Sequence, residues 1–140
     1  MSEIVINKIQ SIQRCIARAR EELQGAGEGF PHDYTRQDAA VLNITRACEQ
    51  AIDLANYIIK THEMGIPTSS RESFSLLERQ RVIPAALSET LQKMVGFRNI
   101  AVHQYQALKI EIVMAIIERD LNDLVVYTEA ILEFVRGSEP

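Results

Sequence analysis

Apolar positions along this chain recur at helical spacing and nowhere alternate as a strand requires. Val5, Ile9, Ile12, Ile16, Ala19 and Leu23 follow one another at steps of 4, 3, 4, 3 and 4. That spacing is one apolar stripe on a helix from about Ser2 to Leu23. Gly25, Gly27 and Gly29 end it, and Pro31 is expected in a loop. Thr35 is read as the N-cap of a long second helix, with Asp38 three positions on, reaching about Met64. Val41, Ile44, Cys48, Ala51, Ala55, Ile58 and Ile59 form one stripe of that helix. Ala40, Ala47 and Leu54 form another, so this helix is expected to be buried on two sides.

Gly65 and Pro67 stop the second helix. Ser70 is read as the cap of a short third helix through Gln80, carrying Phe74, Leu76 and Leu77. Pro84 suits the first turn of a fourth, which carries Leu87, Leu91, Met94 and Val95 and approaches Ala101 or Val102. The fifth begins near Lys109, with Val113, Ile117, Leu121, Leu124, Ile131 and Val135 on its buried face. Residues 137–140 are expected to fray. Five helices with short connections predict an all-α antiparallel bundle, a single domain over residues 1–140.

Composition agrees and narrows the function. The chain has 140 residues, 46% hydrophobic and 24% charged, enough for one real core without disulfides or metals. Cys15 and Cys48 both fall inside apolar patterns with no CxxC or Cys/His cluster, so no zinc site, disulfide framework or cofactor is expected. No basic-then-apolar leader pattern and no membrane-length apolar run occur, which predicts a soluble cytoplasmic protein. The net charge of −4 argues against a general nucleic-acid coat, while leaving room for a local basic cleft.

The chemistry concentrates in Arg98-Asn99-Ile100-Ala101-Val102-His103-Gln104-Tyr105. Arg98 is a permanent cation whose planar donor fork suits a phosphate. His103 is the residue type that gives and takes protons near neutral pH. Tyr105 adds a hydroxyl. Together they could cleave a phosphodiester without metal: imidazole moves the proton of a ribose 2′-OH or of the leaving oxygen, and guanidinium stabilises the charge that develops. Geometry complicates this, because positions five apart on a helix differ by about 140° in azimuth. Either the helix ends before His103 and the chain turns back, or the site uses a second subunit. The plain alternative is a helix C-terminus capped by basic side chains, with Tyr105 half-buried.

The same segment resembles the R-x4-H-x-Y motif of the HepT family, HEPN-domain toxins of bacterial and archaeal toxin–antitoxin pairs. The likeness continues in Arg46-Ala47-Cys48-Glu49-Gln50-Ala51-Ile52-Asp53-Leu54-Ala55-Asn56-Tyr57-Ile58, in Gly65-Ile66-Pro67-Thr68-Ser69-Ser70-Arg71-Glu72-Ser73-Phe74, and in Met94-Val95-Gly96-Phe97. It covers about Ile4 to Val135. The resemblance implies a five-helix HEPN bundle, usually a homodimer, with two motif copies lining a shared cleft. It implies a metal-independent endoribonuclease acting on mRNA or tRNA, with Arg98 and His103 catalytic and Asn99 a polar neighbour. It also implies that Tyr105 accepts AMP from a partner nucleotidyltransferase antitoxin of the MntA type, in a higher hetero-oligomer. A bulky anion there would block the cleft and repel RNA phosphate.

Other residues carry weaker signals. Glu49 and Asp53 share a helix face and are secondary candidates for lining the cleft, against an ion-paired face that Arg46 would help make. Arg14 and Arg18, with Arg20 nearby, are a phosphate track or a solvated face. His32 and His62 lack ligand partners, and Tyr34, Tyr57 and Tyr127 are read as packing residues. Two further readings stand beside the nuclease: a non-catalytic HEPN module that binds a nucleotidyltransferase, and a plain nucleotide-binding bundle.

Overall fold

The computed structural model describes residues 2–139, all in helices and turns. The order is α1 (Glu3–Ala26), a 3-10 turn (Gly27–His32), α2 (Tyr34–Thr61), α3 (Ser70–Arg79) and α4 (Ala85–His103). A second 3-10 turn (Tyr105–Ala107), α5 (Ile110–Ala115), a π-helical turn (Ile116–Asp120) and α6 (Leu121–Ser138) complete it. α5, the π turn and α6 follow without a break, so they occupy the place of the single fifth helix expected from the sequence. No strand occurs among the described residues.

Side-chain caps set the helix starts. Ser2 Oγ accepts from the Ile4 amide at 3.1 Å. Asp33, not Thr35, caps α2, its carboxylate accepting from the Arg36 amide at 3.1 Å. The aspartate takes this role because the chain already turns at His32 and places it one residue before the first helical position. Ser69, one residue before the expected Ser70, caps α3 by accepting from the Glu72 amide at 3.1 Å. Glu72 accepts in return from the Thr68 amide at 3.1 Å. The expected loop around Pro31 is a 3-10 turn, because Phe30 is fully buried and pulls the segment onto the core. α1 continues through Gly25 and ends where Gly27 takes a φ of 55°, a conformation glycine adopts without strain.

Contacts at both ends make α1 and α2 antiparallel. Tyr57 Oη donates to Ser2 Oγ at 3.0 Å, while Arg36 meets Glu22 at 3.4 Å at the other end. α3 and α4 are antiparallel by the same logic: Ser88 Oγ donates to the Phe74 carbonyl, and Arg98 reaches back to Ser70. Both expected stripes of α2 are buried, so this helix is the centre of the bundle. Tyr127 from α6 packs edge-on against Phe74, ring centroids 5.7 Å apart, and donates to the Ala51 carbonyl at 2.8 Å. One continuous apolar core joins α1, α2, α3, α4, α5 and α6. α6 carries on through Gly137 to Ser138, two residues into the tail expected to fray, and Pro140 lies outside the described residues.

Candidate active site

α4 is rich in good helix formers from Ala85 to Met94 and contains no proline. It therefore does not stop at Ala101 or Val102 but runs unbroken through His103, and only Gln104 leaves helical geometry, with φ −141° and ψ 51°. The option in which the helix ends before His103 is thereby excluded. Arg98 and His103 stand on one regular helix about 140° apart in azimuth.

The two sides of α4 treat them differently. Arg98 shares the inward face with Leu91, Met94 and Val95 and is half-buried. Its Nη2 donates to Ser70 Oγ at a long 3.4 Å. Its Nε is buried with no hydrogen-bond partner, a costly state for a charged donor and one that an arriving anion would relieve. The guanidinium charge is felt at Cys48: burial pushes that thiol up to about 12, Arg98 pulls it down and Glu49 pushes it up. His103, the last residue of α4, is exposed, and Asn99 lies exposed one turn before it.

Tyr105 sits in the 3-10 turn after α4 and is 42% exposed. Its hydroxyl donates to the carboxylate of Asp38 on α2. Burial first, then the hydrogen bond to Asp38 and that residue's charge, push the phenol up to about 12. Asp38, expected only as part of a helix cap, is thus a neighbour of the motif.

A second residue outside the motif packs against α4. A Cβ on Gly96 would lie 2.7 Å from Arg71 Nη2. The missing side chain lets the Arg71 guanidinium rest on the outer face of α4, the face that Asn99 and His103 continue at positions three and seven further on. Beside it opens a groove of about 580 Å³. Phe97, Ile100 and Ile112 line its apolar part, the π turn contributes Ile116, Arg119 and Asp120, and Arg71, Lys93 and Lys109 contribute further positive charge. Four cations, of which Lys93 is paired with Glu89 at 3.4 Å, against one lining carboxylate make this a locally basic groove; of the motif only Ile100 lines it. Burial raises Asp120 above the usual carboxylate range, partly offset by Arg119.

The remaining candidates fall elsewhere or into other roles. Asp53 pairs with Lys8 at 3.3 Å, tying α2 to α1, and Glu49 is exposed. No Arg46–Glu49 ion pair occurs among the described residues. Arg14, Arg18 and Arg46 all act on the Cys15 thiol, so they gather around one part of the α1–α2 pair. His62 packs edge-on against Phe134 with centroids 4.9 Å apart. Tyr127 is a packing residue as expected, but Tyr34 is not, being 73% exposed. Both cysteines are free and buried. No cluster of potential metal ligands, and no helix long and apolar enough to cross a membrane, occurs among the described residues.

Known proteins share this sequence pattern and this fold. A family model described as ribonuclease HepT-like matches residues 12–131. The chain is 46% identical over 131 residues to the mRNA nuclease HepT of Shewanella oneidensis, covering 94% of this chain and 98% of that one. It superposes with a TM-score of 0.90 and 44% identity on the tri-AMPylated Shewanella oneidensis HEPN toxin in complex with MNT antitoxin, covering 95% of this chain and 99% of that one. A toxin–antitoxin structure with AMP-PNP matches with a TM-score of 0.90 and 44% identity, over 94% and 99% of the two chains.

Proposed function

This chain belongs to the HepT-like ribonuclease family, and from that premise we propose that it is the toxin of a toxin–antitoxin pair, a metal-independent endoribonuclease that cuts mRNA. Its antitoxin is a nucleotidyltransferase that silences it by transferring AMP to Tyr105, in a hetero-oligomeric complex. The relatives' names and the AMP-bearing HEPN toxin of Shewanella oneidensis support the nuclease, the antitoxin partner and the AMP modification.

The observation that carries the catalytic part is the unbroken α4. It points Arg98 and His103 to different sides of one chain while leaving the first with an unspent donor and the second open to solvent. Two copies of the chain resolve this, as Arg98 of one and His103 of the other face a shared cleft. Ile100, Val102 and Ile112 are exposed around the motif and are the apolar surface a second copy would cover. In that cleft His103 moves the proton of the attacking 2′-OH or of the leaving oxygen. Arg98 stabilises the negative charge on the phosphorus-bound oxygens. Asn99 orients the strand, and Glu49 is a secondary candidate at the edge.

Mixing subunits tests the arrangement. Arg98→Ala and His103→Ala are each expected to cleave mRNA about 100-fold more slowly than wild type, with or without a chelator. Randomly reassorted dimers regain about a quarter of wild-type cleavage, because half are mixed and each mixed dimer has one intact site of two. Cleavage by either variant alone at the wild-type rate would end the nuclease reading in favour of a HEPN module that only binds its nucleotidyltransferase.

A further inference from the structure

Tyr105 is held by one polar tie. The 3-10 turn that carries it buries no side chain and is closed by two backbone bonds, Ala107 N–H to the Gln104 carbonyl at 2.8 Å and Leu108 N–H to the Tyr105 carbonyl at 3.1 Å. Among the described residues, its one side-chain hydrogen bond to another element is the phenol donating to Asp38. Asp38 stands on α2, the most buried helix of the bundle, one turn beyond the Asp33 cap. A hollow of about 140 Å³ opens beside the pair, lined by Tyr34, Gln37, Val41 and Leu108 among others. The phenol oxygen is thus reachable from outside, while a carboxylate fixed by a rigid helix already holds its proton.

We propose that Asp38 is the base for AMP transfer to Tyr105, a catalytic group contributed by the modified chain itself. The inference rests on the reading of Tyr105 as the AMP acceptor. Tyr105 Oη attacks the α-phosphorus of a nucleoside triphosphate held by the partner nucleotidyltransferase. The new O–P bond forms as the bond to the β-phosphate oxygen breaks. Pyrophosphate leaves, and the phenolic proton passes to the Asp38 carboxylate and then to water. The need for a base follows from the same contact: a phenol that burial and a neighbouring carboxylate hold protonated up to about 12 supplies almost no phenolate at neutral pH. After transfer the tyrosine oxygen has no proton to donate, and the new phosphodiester is an anion facing a carboxylate. The tie is lost and the turn is pushed from α2.

The experiment follows AMP transfer from ATP by the purified antitoxin onto wild-type chain, Asp38→Asn, Asp38→Glu and Tyr105→Phe, by mass and by rate. Asparagine keeps an acceptor oxygen of similar reach but cannot take a proton. Asp38→Asn is expected to accept AMP about 100-fold more slowly at saturating toxin, with KM for the toxin unchanged. Asp38→Glu recovers most of the rate. RNA cleavage by Asp38→Asn stays at the wild-type level, which also shows that the variant is folded. The rate of Asp38→Asn climbs about tenfold per pH unit as its phenol ionises unaided, so the gap to wild type narrows in alkali. Transfer to Asp38→Asn at the wild-type rate overturns the base. Wild-type chain that gains no AMP, or Tyr105→Phe that gains as much, overturns the reading of Tyr105 instead and takes the base with it.

Discussion

Two tyrosine hydroxyls show how differently the interior and the α4 end of this molecule are built. Tyr127 is fully buried, edge-on to Phe74, and gives its proton to a main-chain carbonyl of α2. Tyr105 is 42% exposed and gives its proton to a carboxylate. The hydroxyl of Tyr127 is matched by a main-chain acceptor. Elsewhere on and beside α4 capacity is left over: an arginine Nε without a partner and an exposed imidazole. A buried group that has spent its hydrogen bonds stabilises a fold, and one that has not is available for a ligand.

That contrast breaks first in the core. Phe74→Ala removes a ring that is 2% exposed and is expected to cost about 4 kcal/mol in urea unfolding, while the remaining folded protein cleaves RNA normally. Loss of cleavage beyond the loss of folded protein would show that the core and the site are not separable. His103→Ala is the reverse case. Its side chain is exposed at a helix end, so the urea midpoint stays put while cleavage falls by about 100-fold, equivalent to about 2.7 kcal/mol. A smaller effect is expected from Arg71→Ala, which removes one groove cation. RNA affinity falls about tenfold at low salt, and the slope of log affinity against log salt flattens by about one. An unchanged slope would detach the groove from RNA.

The regular parts of the bundle were legible because burial writes itself as periodicity. Both stripes of α2 are buried, and so is the stripe of α1 except Leu23, which is partly buried. Caps slipped by one or two residues, since Asp33 and Thr35, or Ser69 and Ser70, are all capping types and the turn before them decides. The π turn at Ile116–Asp120 adds a residue to one turn without changing the apolar character of the run, so it leaves no sequence mark. The motif residues were legible one by one, and their separation across α4 followed from helical geometry alone. Asp38 and Arg71 were not. The first lies 67 residues from Tyr105, and the second acts through a glycine whose only signal is a missing side chain. Such pairings come from packing, which a single sequence does not spell out.

The subtlest test sets the two tyrosines against each other in alkali. Both phenols are pushed above their ordinary range, Tyr105 to about 12 and Tyr127 by its burial. A phenol raised in the folded state lends stability that is complete below the unfolded value of about 10 and disappears as pH rises through the folded value, because only the unfolded chain ionises in that window. Wild-type protein therefore loses stability as pH rises from about 10, and both Tyr127→Phe and Tyr105→Phe flatten the loss. The causes separate in Asp38→Asn. Burial alone holds Tyr127, so its ionisation is untouched, whereas Tyr105 loses its carboxylate neighbour and ionises part of the way back toward about 10. Phenolate absorbance of the folded protein reads both. If Asp38→Asn leaves the Tyr105 titration where it was, the carboxylate does not hold that proton, and the two ends of the molecule differ in exposure alone.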